Sequence, residues 1–255
     1  MRLEFLIRLV TNNEEVLREV NIMEVYEIIT KVFLLEGLST KRASTSITYF
    51  VDSILVQDDA YRDFHVENKL KGYTTDLLYP MEKNGEYKKH QMYDFRIRTL
   101  DKNLARYFVE KMPDHTIKEM KGLVSELRKI PKRNIQKLYT ITPVILKTQD
   151  HCYWKECLSF EEYEEQLKKN LWKKYRYFTG KEADESLPIW NDLKFKNEGV
   201  IPFPYKNITL PGDKIEIQVA DNKQAQDIAY MILATGLGDL NSRGASFMGY
   251  RYVGK

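Results

Sequence analysis

Hydrophobic spacing in this chain switches between a strand-like period of about two and a helical period of about 3.6 residues, in an order that runs through twice. That order limits the folds open to it. Leu3, Phe5, Ile7 and Leu9 alternate over residues 2–10 as a strand does. Ile22, Val25, Tyr26, Ile29, Val32 and Phe33 then fall at helical spacing, and beyond Gly37 so do Ile47, Phe50, Val51, Ile54 and Leu55. An extended segment near Tyr73 to Tyr79 and a turn at Asn84-Gly85 lead to residues 91–99, where Tyr93, Phe95 and Ile97 alternate with Asp94, Arg96 and Arg98. A helix from Asp101 carries Leu104, Tyr107, Phe108 and Met112, and residues 115–121 return as a fourth strand.

Polar, proline-interrupted sequence from Lys129 to Arg133 marks a boundary, after which the order begins again. Residues 138–147 suit a strand. Ser159 and Glu162 form a capping box ahead of a helix with Phe160, Tyr163, Leu167, Leu171, Tyr175 and Phe178 on one face. Extended segments near 193–209 and 214–219 follow. A helix opening at Asp221, with Gln224 in capping-box position, buries Ala225, Ile228, Ala229, Ile232 and Leu233 and ends at Gly236 before a last strand over 247–253. The order βα(α)ββαβ then βαββαβ predicts an α+β chain of two tandem ferredoxin-like domains, residues 1–130 and 131–255. Its 255 residues, 43% hydrophobic and 30% charged, are enough for two buried cores.

A net charge of +3 is too small to identify a nucleic-acid partner, so local clustering must carry that question. With no apolar run of membrane-spanning length, and an N-terminal stretch that alternates like a strand, the expected location is the cytoplasm, with no membrane partner. Cys152 and Cys157 have one histidine nearby and no second ligand pair at zinc-like spacing, so ordinary reduced thiols are expected.

The loop from Gly236 through Gly238, Asp239, Asn241, Ser242 and Arg243 to Gly244 has the composition of a nucleotide-binding turn but the wrong placement. A phosphate-binding glycine loop enters a helix N-terminus, where free N–H groups point at the anion; this loop leaves a helix and enters a strand. It also lacks a third glycine in the dinucleotide pattern and a Gly-Lys-Ser/Thr ending. Either it is a C-cap and tight turn with left-handed glycines at Gly238 and Gly244, or its bare backbone and Arg243 lie against an RNA phosphate backbone.

The run GLGDLNSRGASFMGYRYV resembles the signature loop of the CRISPR repeat-RNA-processing endoribonucleases, the sixth family of CRISPR-associated proteins. The opening MRLEFLIRLV, the stretches FHVENKLKGYTTDLLYP and YDFRIRTLD, and LYTITPVIL agree with that resemblance. The family usually continues Gly-Phe-Gly, whereas here Ser246 stands in place of a glycine. The resemblance implies tandem ferredoxin-like domains, RNA bound across both, and cleavage within each repeat without metal or other cofactor. It implies a catalytic histidine helped by a lysine and a tyrosine, which map to His65 and Lys71. The implied partners are repeat RNA, as precursor and as mature guide, with other CRISPR-associated effector subunits and a second copy of the chain as further candidates.

Cutting RNA without a metal uses the neighbouring 2′-hydroxyl as nucleophile, and it needs a base, an acid and positive charge at the phosphorane. Histidine can exchange a proton near neutrality, and lysine supplies charge. His90 is the alternative to His65, ahead of His115 and His151. Tyr26 lies on an apolar stripe, whereas Tyr49 falls off one, so Tyr49 is the candidate tyrosine. Candidate RNA contacts are Gly236, Gly238, Asn241, Ser242, Arg243 and Gly244 in the loop, Arg96 and Arg98 on one strand face, and Lys173 and Lys174 within the basic run Lys168 to Arg176. That run equally suits a solvated helix face. Two other functions compete: a non-catalytic repeat-RNA-binding subunit of an effector complex, and a ligand-binding regulator with no salt-sensitive RNA affinity.

Overall fold

The structure, a computed structural model, describes residues 23–67, 69–148 and 152–254. The strand expected over residues 2–10 and His151 lie outside them.

The first half is one residue run out of step with expectation. Val25–Leu34 forms strand β1 rather than the expected helix. The segment VYEIITKVFL is so densely apolar that it fits both periods; β-branched Val25, Ile28, Ile29, Thr30 and Val32 favour the extended chain. Helices α1 (Thr40–Leu55) and α2 (Asp59–Val66) follow, then strands β2 (Tyr73–Thr75) and β3 (Met92–Thr99), helix α3 (Lys102–Lys111) and strand β4 (Met120–Ile130). The fourth strand therefore starts where it was expected to end, and it runs into the polar stretch taken as a boundary. These strands make an antiparallel sheet in the order β2-β3-β1-β4, with Ile28 of central β1 opposite Ile97 on one side and Leu127 on the other. Tyr26, Ile28, Val32 and Leu34 pack under Phe50, Ile54, Leu104 and Phe108 of α1 and α3.

The second half repeats the plan. Strand β5 (Ile135–Thr140) leads through a single helical turn, Trp154–Cys157, to α4 (Phe160–Thr179), β6 (Trp190–Phe195), the hairpin β7 (Ile201–Tyr205) and β8 (Ile208–Gly212), β9 (Ile215–Val219), α5 (Lys223–Thr235) and β10 (Met248–Tyr252). Its sheet is ordered β10-β5-β9-β6. Both four-stranded sheets thus carry the split βαβ arrangement, and the fold is α+β with tandem ferredoxin-like halves.

Local chemistry sets the helix ends. The Ser159 hydroxyl accepts from the Glu162 amide at 3.2 Å while the Glu162 carboxylate accepts from the Ser159 amide at 2.7 Å, the expected capping box. At α5 the cap is Asn222, accepting from the Ala225 amide at 2.8 Å; Gln224 instead pairs with the backbone of Asp184. Cys152 and Cys157 form a disulfide, correcting the expectation of free thiols: the helical turn between them brings their Cα atoms to 6.5 Å.

Helix α5 is buried on nearly every side, from Ala225 through Tyr230 and Leu233 to Thr235. A helix apolar all round needs cover on all faces. One face packs on its own sheet and the other on the first sheet, where β1, β2 and β3 meet it. The Tyr230 hydroxyl donates to the Ile130 carbonyl at 2.6 Å and accepts from the Val25 amide at 3.1 Å, pinning α5 to the end of the first sheet where the start of β1 pairs with the end of β4. This packing delivers the C-terminal end of α5, and the loop beyond it, against α1 and β2.

Candidate functional site

Three glycines of the loop after α5 take left-handed backbone: Gly236 at φ 64°, Gly238 at 66° and Gly244 at 90°. A side chain is excluded as well as disfavoured, since a Cβ at Gly238 would sit 2.5 Å from the Ile145 carbonyl oxygen. The loop leaves a helix C-terminus, makes one 3₁₀ turn over Asn241–Arg243 and enters β10, so it offers no helix N-terminus to an anion. Ser246, where the resembling family has glycine, is also left-handed at φ 56°. Its buried hydroxyl accepts from the Leu237 amide at 3.0 Å, tying the two sides of the loop together.

Lys174 holds the loop from beneath. Its Nζ lies 3.0 Å from the Gly236 carbonyl, 2.9 Å from that of Gly238 and 2.7 Å from Asn241 Oδ1, with the Thr235 carbonyl at 3.3 Å. The Thr235 and Gly236 carbonyls are at the helix end, where backbone acceptors lack intrahelical partners. Burial brings the Lys174 ammonium down to about 7, opposed by the Asp239 carboxylate. Lys174 is therefore an internal strut and not a surface contact, as the sequence had suggested. Its neighbour Lys173 remains exposed. Most of the surrounding basic run is spent locally: Lys168 pairs with Glu164, Lys169 with Glu165, and Arg176 with Glu182 and Glu185.

Arg98 requires a similar correction. Its guanidinium is buried, 2.6 Å from a Glu27 carboxylate oxygen and 2.6 Å from the Met248 carbonyl, and it lies 4.2 Å over the Phe247 ring. Burial alone would raise the Glu27 carboxyl, but Arg98 and Arg128 together hold it below the usual carboxylate range. Arg96 pairs with Asp76 at 2.5 Å and reaches the same Phe247 ring. The strand face that alternates away from the first core thus meets the second half of the chain instead of solvent.

The tip of the loop faces α1. Arg243 Nη1 pairs with Asp52 Oδ2, the Thr48 hydroxyl reaches the Arg243 carbonyl at 3.5 Å, and the Thr74 hydroxyl reaches that of Ala245 at 3.5 Å. Asp52 also faces His65, whose Nδ1 is 3.5 Å from Asp52 Oδ1. His65 lies in the last turn of α2, and its side chain is 19% exposed. Tyr49 is one turn before Asp52 on α1 and is 61% exposed. Lys71 Nζ donates to the carbonyls of Phe64, His65 and Glu67, closing the C-terminal end of α2. Burial lowers its ammonium, with Glu67 opposing.

The structure therefore brings together His65, Arg243 and Asp52, with Lys71 closing the helix that carries the histidine. Sequence reasoning missed Asp52; its one signal is position, one helical turn beyond the candidate Tyr49. His90 is exposed and stacks on Phe33 at 5.9 Å, and His115 has both ring nitrogens engaged, by Ser53 at 2.7 Å and Gln57 at 3.1 Å. Burial lowers His115 from the usual histidine value. Neither is a partner in the loop's polar contacts with Asp52, Thr48 and Thr74. Among the described residues, no helix is long and apolar enough to cross a membrane.

A family model described as CRISPR associated protein Cas6, C-terminal, matches residues 125–249. No curated protein matches the chain. Among solved structures, a CRISPR associated protein Cas6 is similar at TM-score 0.66 and 19% identity, covering 89% of this chain and 100% of that one. A RAMP protein binding different RNA substrates is similar at TM-score 0.64 and 13% identity, over 89% and 99%. A Cas6-related protein from Pyrococcus furiosus is similar at TM-score 0.63 and 14% identity, over 89% and 98%. At these identities the likeness concerns the fold.

Proposed function

We propose that this chain, which matches the Cas6 C-terminal family model through residues 125–249, cuts CRISPR precursor RNA within its repeats, as a metal-independent endoribonuclease of two domains that divide near residue 130. The observation that carries this reading is the meeting of the glycine-loop tip with His65 across Asp52, a loop from one half and a histidine from the other.

The chemistry follows from what cleavage needs. A 2′-hydroxyl attacks the adjacent phosphorus, its proton passes to a base, and the departing 5′-oxygen takes a proton from an acid. The products are a 5′-hydroxyl and a 2′,3′-cyclic phosphate. His65 serves as the acid or base. Tyr49, exposed on α1, donates a hydrogen bond to the phosphate in this reading, and Arg243 supplies charge at the phosphorane or its neighbour. Lys71 contributes from the end of α2; its present bonds to three carbonyls must loosen for direct contact with RNA. The loop tip, Asn241 to Arg243, carries the backbone contact, while buried Gly236, Gly238 and Gly244 shape it. Lys173 extends the basic surface. That the similar RAMP protein binds different RNA substrates supports RNA as the ligand.

Because binding of this kind releases counterions, affinity for repeat RNA falls with salt. Arg243→Ala weakens it by about tenfold and makes the dependence shallower by about one ion, measured by filter binding across a salt series. An affinity flat in salt removes RNA backbone recognition from this surface.

A further inference from the structure

Asp52 carries more than a salt bridge. Its two carboxylate oxygens lie in different circumstances: Oδ2 pairs with Arg243, whereas Oδ1 is buried without a hydrogen-bond partner and points toward His65 Nδ1 at 3.5 Å. A buried carboxylate oxygen without a donor is unfavourable, and 3.5 Å is just beyond a good hydrogen bond. A small rotation of either side chain closes the gap. Arg243 binds the other oxygen of the same carboxylate.

We propose that Asp52 is a positioning residue which Arg243 occupies in the free protein and releases to His65 when an RNA phosphate draws Arg243 away. The inference rests on the proposed role of His65 and adds to it a coupling between binding and chemistry. Arginine binds a phosphate as readily as a carboxylate, so arriving RNA competes directly with Asp52 for the guanidinium. Once Arg243 moves, the Asp52 charge is left half-buried and uncompensated, and the donor within reach is the imidazole Nδ1–H. Accepting that hydrogen fixes the ring's tautomer and turns Nε2 toward the substrate. The histidine is thereby oriented only where RNA is docked.

The other groups facing this pair fit the exchange. Lys71, after α2, and Tyr73, on β2, are both within electrostatic reach of Asp52 and Arg243, and Glu67 and Lys69 act on Lys71. None of them makes a hydrogen bond to Asp52 Oδ1.

The test combines ¹⁵N NMR of His65 with single-turnover cleavage. A repeat RNA carrying 2′-deoxyribose at the scissile position serves as the non-reacting ligand. Wild type gains the Nδ1–H tautomer on binding this RNA, Arg243→Ala shows it without RNA, and Asp52→Asn shows it in neither state. In cleavage, Asp52→Asn lowers the maximal rate by roughly 10- to 100-fold, as a misplaced catalytic group does, with half-saturation by RNA unchanged or tighter. Asn keeps the shape of Asp, and the thermal midpoint confirms folding. A His65 tautomer that ignores RNA and both substitutions overturns the proposal, as does a wild-type rate in Asp52→Asn. The parent reading fails separately: there, wild type leaves repeat RNA uncut or His65→Ala cuts normally.

Discussion

Replacing His65 with alanine slows single-turnover cleavage of repeat RNA by about 10²- to 10⁴-fold, the usual contribution of a positioned acid or base. Affinity for RNA stays within about threefold of wild type, because the loss falls on a group that acts in the transition state. The expectation comes from place as well as residue type. His65 is mostly covered, at the last turn of α2, with Asp52 beside it and the glycine-loop arginine on the far side of that carboxylate. His115 and His90 serve as controls, since one is held by Ser53 and Gln57 and the other stacks on Phe33. Alanine at either leaves the rate within about threefold. A His90→Ala variant that loses activity while His65→Ala keeps it would move the active centre elsewhere.

Lys174→Met has the second large effect, on binding. Methionine fills similar space but donates no hydrogen bond, so the carbonyls of Gly236 and Gly238 and the Asn241 side chain lose their partner inside the protein. Each buried acceptor left unpaired costs about 1–3 kcal/mol, and the loop relaxes to reach water. Repeat-RNA affinity falls about 10- to 100-fold, with the change in fluorescence anisotropy as readout. The pH dependence carries a separate signature. Folded Lys174 loses its proton at about 7, whereas in the unfolded chain lysine does so near 10.4. Between those values the unfolded state binds more protons, so this group makes stability rise with pH through that window. The rise is missing in Lys174→Met, which denaturant titrations at pH 7 and pH 9.5 detect. The strut itself survives deprotonation, because a neutral amine still keeps two N–H donors for the carbonyls.

Particular residues show how far sequence can carry such a protein. Ser159 and Glu162 state their capping box outright, and the glycine loop announces left-handed backbone at Gly236, Gly238 and Gly244. The order of elements in the second half is legible because polar residues separate its periodic segments. The start of the first half is not: Val25 to Leu34 satisfies both periods, and being a central strand buried on both faces it lacks the polar alternation that would decide.

The site is half legible for a related reason. His65 and Lys71 are candidates through family resemblance and Tyr49 through its place off an apolar stripe, but the residue that faces both His65 and Arg243 is Asp52, an acidic residue on a helix surface with nothing in its neighbours to mark it. Lys174 and Arg98 mislead in the opposite direction. Each sits where local pattern predicts solvent, on a basic helix face and on the outward face of β3, and each is covered by a distant segment that periodicity does not reveal. Charged residues facing a second domain look like surface until the domain is docked.

The central claim, a metal-independent cut by the neighbouring 2′-hydroxyl, is tested most directly by single-turnover cleavage of repeat RNA in excess chelator, with and without one 2′-deoxyribose at the scissile position. The account predicts that the all-ribose RNA is cut at one position per repeat at the same rate with or without chelator, leaving a 5′-hydroxyl and a 2′,3′-cyclic phosphate, and that the single deoxy substitution stops the reaction while binding persists. Activity that disappears with chelator, or a deoxy RNA that is still cut at the same bond, would contradict it.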